Sequence, residues 1–145
     1  MKVFNKLLLL FCLFCLFSSC SQNEISPPYV ITQSSVRVGK NEPSYNIAGA
    51  HVFISNVSNK TIHSLTLSFL LFDSDGDLCL PLGKCIESEC LQKIKPFQTK
   101  EIVLSLDSVL GGHIHSSYQL GNVFVKRVAF SDGSVWNDPF GLYAE

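Results

Sequence analysis

Residues 61–77, TIHSLTLSFLLFDSDGD, restrict the fold more than any other stretch of this chain. His63, Leu65, Leu67, Phe69 and Leu71 recur at every second position, and side chains of a strand alternate between its two faces, so the spacing predicts one strand with these five on a common face. Ser64, Thr66 and Ser68 take the opposite face. Leu70 and Phe72 turn that second face apolar near the end, as in a strand that passes from a half-wetted sheet into a core covered on both sides. Asp75-Gly76 predicts a turn, because glycine takes positive φ without a steric cost.

The other segments carry the same signal more weakly. Residues 29–38 read as a first, edge-type strand through Val30, Val36 and Val38, and residues 39–45 as a turn containing Gly, Asn and Pro. In 46–55, Ala48, Ala50, Val52 and Ile54 share one face while Ile47, His51 and Phe53 share the other. Residues 78–80 predict a short return strand stopped by Pro81, and 82–95 an irregular segment or one helical turn. A further strand is expected over 97–106, with Ile102, Leu104 and Leu106 together, followed by a long connection over 107–121. Residues 122–130 and 134–136 supply the last two strands around Asp132-Gly133. Six to seven short strands with no helical stripe of useful length predict an all-β sandwich.

The chain has 145 residues, one domain of ordinary size, and its sixteen aromatic side chains are enough to fill a core. Residues 1–19 read as a helical signal peptide. Lys2 and Lys6 precede an apolar run over 7–17, and Ser18 and Ser19 are small. That run of eleven is too short to cross a bilayer as a helix, which takes ~20 residues. Without Lys2 and Lys6, eleven basic side chains fall to nine against twelve acidic ones, a net charge of −3, which offers no electrostatic footprint for nucleic acid.

Phe17-Ser18-Ser19-Cys20 resembles the lipobox of bacterial lipoproteins. The resemblance implies that Cys20 becomes the lipidated N-terminus, carrying diacylglycerol and an amide-linked acyl chain such as palmitate. Two or more chains anchor stably where one does not. Localisation at the cell envelope follows, on the periplasmic or surface face of a bacterial membrane. Residues 20–28 are then lipidated Cys and tether, and 29–145 the sandwich domain. Eight flexible residues, 21–28, span on the order of 16 Å, so the domain is expected to lie close to the membrane.

Phe69-Leu70-Leu71-Phe72-Asp73 resembles the signature of FxLYD-type domains, with Phe72 in place of Tyr. The order around it is similar: a strand ending near Ser55-Asn56, an Asp-Gly turn, then Pro96 before a strand. Where that family often has Pro-Gly this chain has Pro96-Phe97. The resemblance, over residues 46–136, implies an immunoglobulin-like sandwich in an envelope protein and implies no activity.

Three groups are candidates for chemistry. Asp73, Asp75 and Asp77 present alternate oxygens of the kind Ca²⁺ takes, although the helical calcium-loop pattern fails, with Gly76 at the fourth position and Lys84 at the twelfth. A solvated hairpin tip explains the same residues. Cys79, Cys85 and Cys90 are disulfide candidates in an oxidising compartment, and the sequence leaves all three pairings open. His113 and His115 have the HxH spacing of a Zn²⁺ or Cu²⁺ pair without an evident third ligand. His51 and His63 are expected as packed or edge residues, and Tyr118 and Trp136 as core. No Gly-x-Ser-x-Gly elbow, Ser-x-x-Lys pair or phosphate-cradling glycine loop is present, so the expectation is a protein that is not an enzyme and uses no cofactor. The favoured function is an interaction or assembly module with a protein partner in the envelope. The alternative is a metal-binding envelope protein.

Overall fold

The computed structural model describes residues 26–39, 42–111 and 115–144. Residues 1–19, read as a signal peptide, Cys20, residues 21–25, read as part of a tether, and His113 lie outside the described residues. Seven strands form two antiparallel sheets. β1 (Tyr29–Val38), β2 (Ala48–Asn56) and β5 (Thr99–Ser105) make the first, in the order β1-β2-β5. β4 (Ile86–Cys90), β3 (Ile62–Phe72), β6 (Gln119–Phe130) and β7 (Val135–Asn137) make the second, in the order β4-β3-β6-β7. Relative to a constant-type immunoglobulin domain, whose fourth strand belongs with the first, second and fifth, β4 has changed sheets. The described helical content is α1 (Asp107–Leu110), a single turn inside the stretch read from the sequence as a long connection. No helix among the described residues is long and apolar enough to cross a membrane.

The core lies between the sheets. Leu65, Leu67, Phe69 and Leu71 of β3 meet Ala48, Ala50, Val52 and Ile54 of β2, all essentially without exposure. Burying Phe69 alone contributes roughly 2–3 kcal/mol. Tyr29 ties one lateral edge: its hydroxyl accepts the Val125 N–H at 3.0 Å, and its ring meets Trp136 edge-on at 5.6 Å.

Bulges correct the predicted faces. His63 is exposed, not aligned with Leu65, because β3 has one extra residue between the Ile62–Phe130 and Ser64–Ala129 pairs. The phase is reset there and Ile62 enters the core in its place. In β1 a similar shift between Ile31 and Gln33 points Tyr29 and Ile31 inward and leaves Val30 and Val38 exposed. β6 carries two such shifts, one beside Lys126 and one at Asn122, whose φ is 48°.

Two predicted elements change. Residues 78–80 form only a bridge from Leu78 to Phe72, since Pro81 ends the ladder. The partner of β3 comes later, as β4, within the segment expected to be irregular.

The strands run between two ends, here termed base and crown. The base holds residues 26–28, 57–61, 91–98 and 131–134. The crown holds the described parts of 39–47, 73–85 and 106–118.

Candidate functional site

A cavity at the crown brings together one member of each group singled out in the sequence. Asp73 directly follows β3, and its Oδ1 accepts the backbone N–H groups of Asp75 at 2.9 Å and Asp77 at 3.0 Å. Gly76, at φ 85°, closes the turn by donating to the Asp73 carbonyl. The N–H of Asp77, then that of Asp75 and the nearby His115, hold the Asp73 carboxyl below its ordinary value. Asp75 and Asp77 stay exposed, so the acidic triplet is the hydrogen bonding of a hairpin tip. Among the described residues no group of three or more His, Cys, Asp or Glu stands close enough to hold a metal.

Cys79 is half-buried beside Asp73. Burial, followed by the Asp73 charge, raises its thiol pKa, which keeps it protonated and unsuited to nucleophilic attack. The His115 backbone N–H donates to the Tyr118 hydroxyl at 2.9 Å, and the two rings meet edge-on at 5.8 Å. Asp73, Cys79, His115 and Tyr118 line a cavity of about 200 Å³ with Val109 and Leu110. Pockets that enclose organic ligands run to ~300–1,000 Å³, so this one suits water or a small ion. Tyr118, expected as core, is buried and also walls the cavity.

All three described thiols are free, contrary to the expected disulfide. Register explains why Cys90 pairs with neither of the others. It lies opposite Leu65, whereas the Cys79 N–H donates to Leu71, ~20 Å further along β3 at ~3.3 Å per residue. Cys85 precedes Ile86, so extended chain places it ~16 Å from Cys90. Both separations exceed the ~7 Å that a disulfide bridges.

Two polar assemblies were not legible in the sequence. On the outer face of the first sheet, the buried His51 stands between the Tyr45 hydroxyl, 3.1 Å from Nε2, and Glu101 Oε1, 2.7 Å from Nδ1. Arg37 approaches the same carboxylate at 3.6 Å. Burial, then the charge of Glu42, raises the Tyr45 pKa, so the hydroxyl stays neutral. The second assembly is at the base. Asn56 has no exposure; its Nδ2 donates to the Lys60 and Ile94 carbonyls at 2.8 and 3.0 Å. Its Oδ1 accepts from the Ser58 N–H and hydroxyl. One side chain thereby joins loops 57–61 and 91–98.

The edges of the sheets differ. β4 has five residues and carries Glu87 and Glu89; β5 carries Lys100 and Glu101; both are charged in the way that discourages pairing. β7 has three residues, and the chain beyond it stays against β6, with the Asp138 N–H donating to the Lys126 carbonyl and Gly141 over the Phe124 ring. β1 is ten residues long with Arg37 as its one charge, and among the described residues its strand partner is β2.

No protein-family model matches the chain, and no curated protein matches it. It is similar in structure to a hypothetical protein from Peptoclostridium difficile 630 solved by X-ray crystallography, with a TM-score of 0.56 and 15% identity over 78% of this chain and 87% of that one. At that identity the likeness concerns the fold.

Proposed function

We propose that this chain is a lipid-anchored bacterial envelope protein of FxLYD type whose sandwich serves as an interaction or assembly module. Acyl chains on Cys20 hold it to the membrane, and a protein partner adds a strand along β1. The observation that carries this reading is the β1 edge. Among the described residues no strand lies along the outer side of residues 30–38, while the other edges are short, charged or flanked by following chain. Backbone pairing at an open edge supplies affinity without a preformed pocket.

Photo-crosslinking tests the partner. A benzophenone side chain at Gln33 is expected to capture an envelope protein, and one at Lys84 in the crown is not. Capture from Lys84 alone would sink the β1 reading. Labelled fatty acid should enter the wild-type protein and not the Cys20→Ser variant; equal labelling removes the anchor. Native mass spectrometry of residues 21–145 with Ca²⁺, Zn²⁺ and Cu²⁺ separates this reading from metal binding, which stoichiometric retention of an ion would favour.

A further inference from the structure

We infer that the base of the sandwich is a membrane-contact surface for an anionic bilayer, with Phe97 as its apolar anchor. The backbone at Phe97 supports this first. Gln98 N–H donates to the Lys95 carbonyl at 3.1 Å, closing a turn with Pro96 second and Phe97 third, and Phe97 has φ 60°. That third position needs positive φ and favours glycine, because a Cβ there costs roughly 1 kcal/mol or more. A large side chain occupies it and is 78% exposed, so its ring offsets none of that cost inside the domain. Phe97 therefore has its use outside the fold.

Its surroundings point to lipid. Leu91, 76% exposed, and Val57, 47% exposed, belong to the same end. Lys93 and Lys95 precede Phe97 in the same loop and make no ion pair among the described residues, while Lys60 is paired with Asp132. Apolar tips ringed by lysines suit the boundary between headgroups and acyl chains. The crown stretches have the opposite character, with Glu42, Asp73, Asp75, Asp77 and Asp107 against Lys84 and Lys40, the latter outside the described residues, so an anionic surface attracts one end and repels the other. The described chain also begins at this end: Val57 N–H donates to Pro28, and residues 21–25 separate Ser26 from Cys20. At no more than ~3.6 Å per residue, Cys20 is within roughly 20 Å of Ser26. The orientation thus rests on the proposed lipidation for its geometry, but the surface chemistry does not depend on it.

Vesicle binding of residues 21–145, which contain the whole described sandwich, tests the surface without Cys20. The fragment should sediment with phosphatidylcholine vesicles containing phosphatidylglycerol and not with phosphatidylcholine alone. Lys93→Ser with Lys95→Ser should lower partitioning roughly thirtyfold, since each lysine near an anionic surface contributes ~1 kcal/mol. Phe97→Gly should lower it about tenfold while the thermal midpoint stays level or rises, because the strained φ is relieved. A tryptophan at position 97 should shift its emission to the blue on anionic vesicles, and one at Leu82 in the crown should not. Equal vesicle binding by wild type and Phe97→Gly overturns the inference, as does binding confined to a protein in envelope extract. Failure of fatty-acid labelling at Cys20 with vesicle binding intact removes the anchor and leaves the surface standing.

Discussion

At the base one buried, uncharged amide serves two loops at once, whereas at the crown separate half-exposed carboxylates each fasten a local piece of backbone. Asn56 cannot lose one of its hydrogen bonds without the burial of the others being disturbed. Asp107 accepts the N–H groups of Asn46, Ile47 and Ala48 at the start of β2, and Asp73 ties its own turn, independently of each other. The difference teaches that the two ends should fail differently: the base all at once and with little regard to pH, the crown piece by piece and in acid.

Removing the amide is the largest test. Asn56→Ala takes a donor from the Lys60 and Ile94 carbonyls, which keep the Ser58 hydroxyl and the Ile62 N–H, takes the acceptor from the Ser58 N–H, and is expected to cost about 3 kcal/mol in urea unfolding, to a similar extent at neutral and mildly acidic pH. A cost below ~1 kcal/mol would show that the base does not depend on it. Gly49→Ala comes next, near the crown. A Cβ there would overlap the Tyr45 ring, so the ring must leave His51, at about 1–3 kcal/mol. Near-ultraviolet dichroism should register the displaced tyrosine.

Asp107→Asn sharpens the pH contrast. Hydrogen bonds from the Asn46 and Ile47 amides, then Ala48, depress the folded pKa of Asp107. Its stabilisation is therefore complete above the unfolded value of ~3.9 and is lost as pH falls through the lower folded value. The variant should melt a few degrees below wild type at neutral pH, and the gap should close in acid; a constant gap would mean the carboxylate charge is irrelevant. Lys60→Met should have the smallest effect. Lys60 and Asp132 are each nearly half exposed at 2.8 Å, and the lysine is the leading cause of the lowered Asp132 pKa. A shift of about a degree or less, erased by salt, is the expected outcome of calorimetry.

The paired sheets were readable because Leu65, Leu67, Phe69 and Leu71 keep period two across a buried strand. What was not readable has local causes. An extra residue at His63 reverses the phase that placed it with those leucines, and no residue type marks that bulge. IESEC looks like loop because an edge strand wets one face, so the alternation in β4 is carried by glutamates. Leu78 and Leu80 look like strand, yet Pro81 lacks the N–H a ladder needs. At the site, each of Asp73, Cys79 and His115 stood out alone, but their meeting with Tyr118 depends on how two crown loops pack, which spacing along the chain does not encode. The same holds for His51 and Glu101, fifty residues apart and joined only by β2–β5 pairing.

The Asn56 side chain also bears on which parts of this chain tolerate insertion. Its carbonyl partners at Lys60 and Ile94 fix the span of two segments simultaneously, so an added residue in either would pull that segment's acceptor out of reach. Among the described residues no comparable shared bond joins the hairpin at 73–77 to the Asp107 clamp. Length variation among homologues should therefore collect at the crown, and grafted peptides or fluorescent tags belong there.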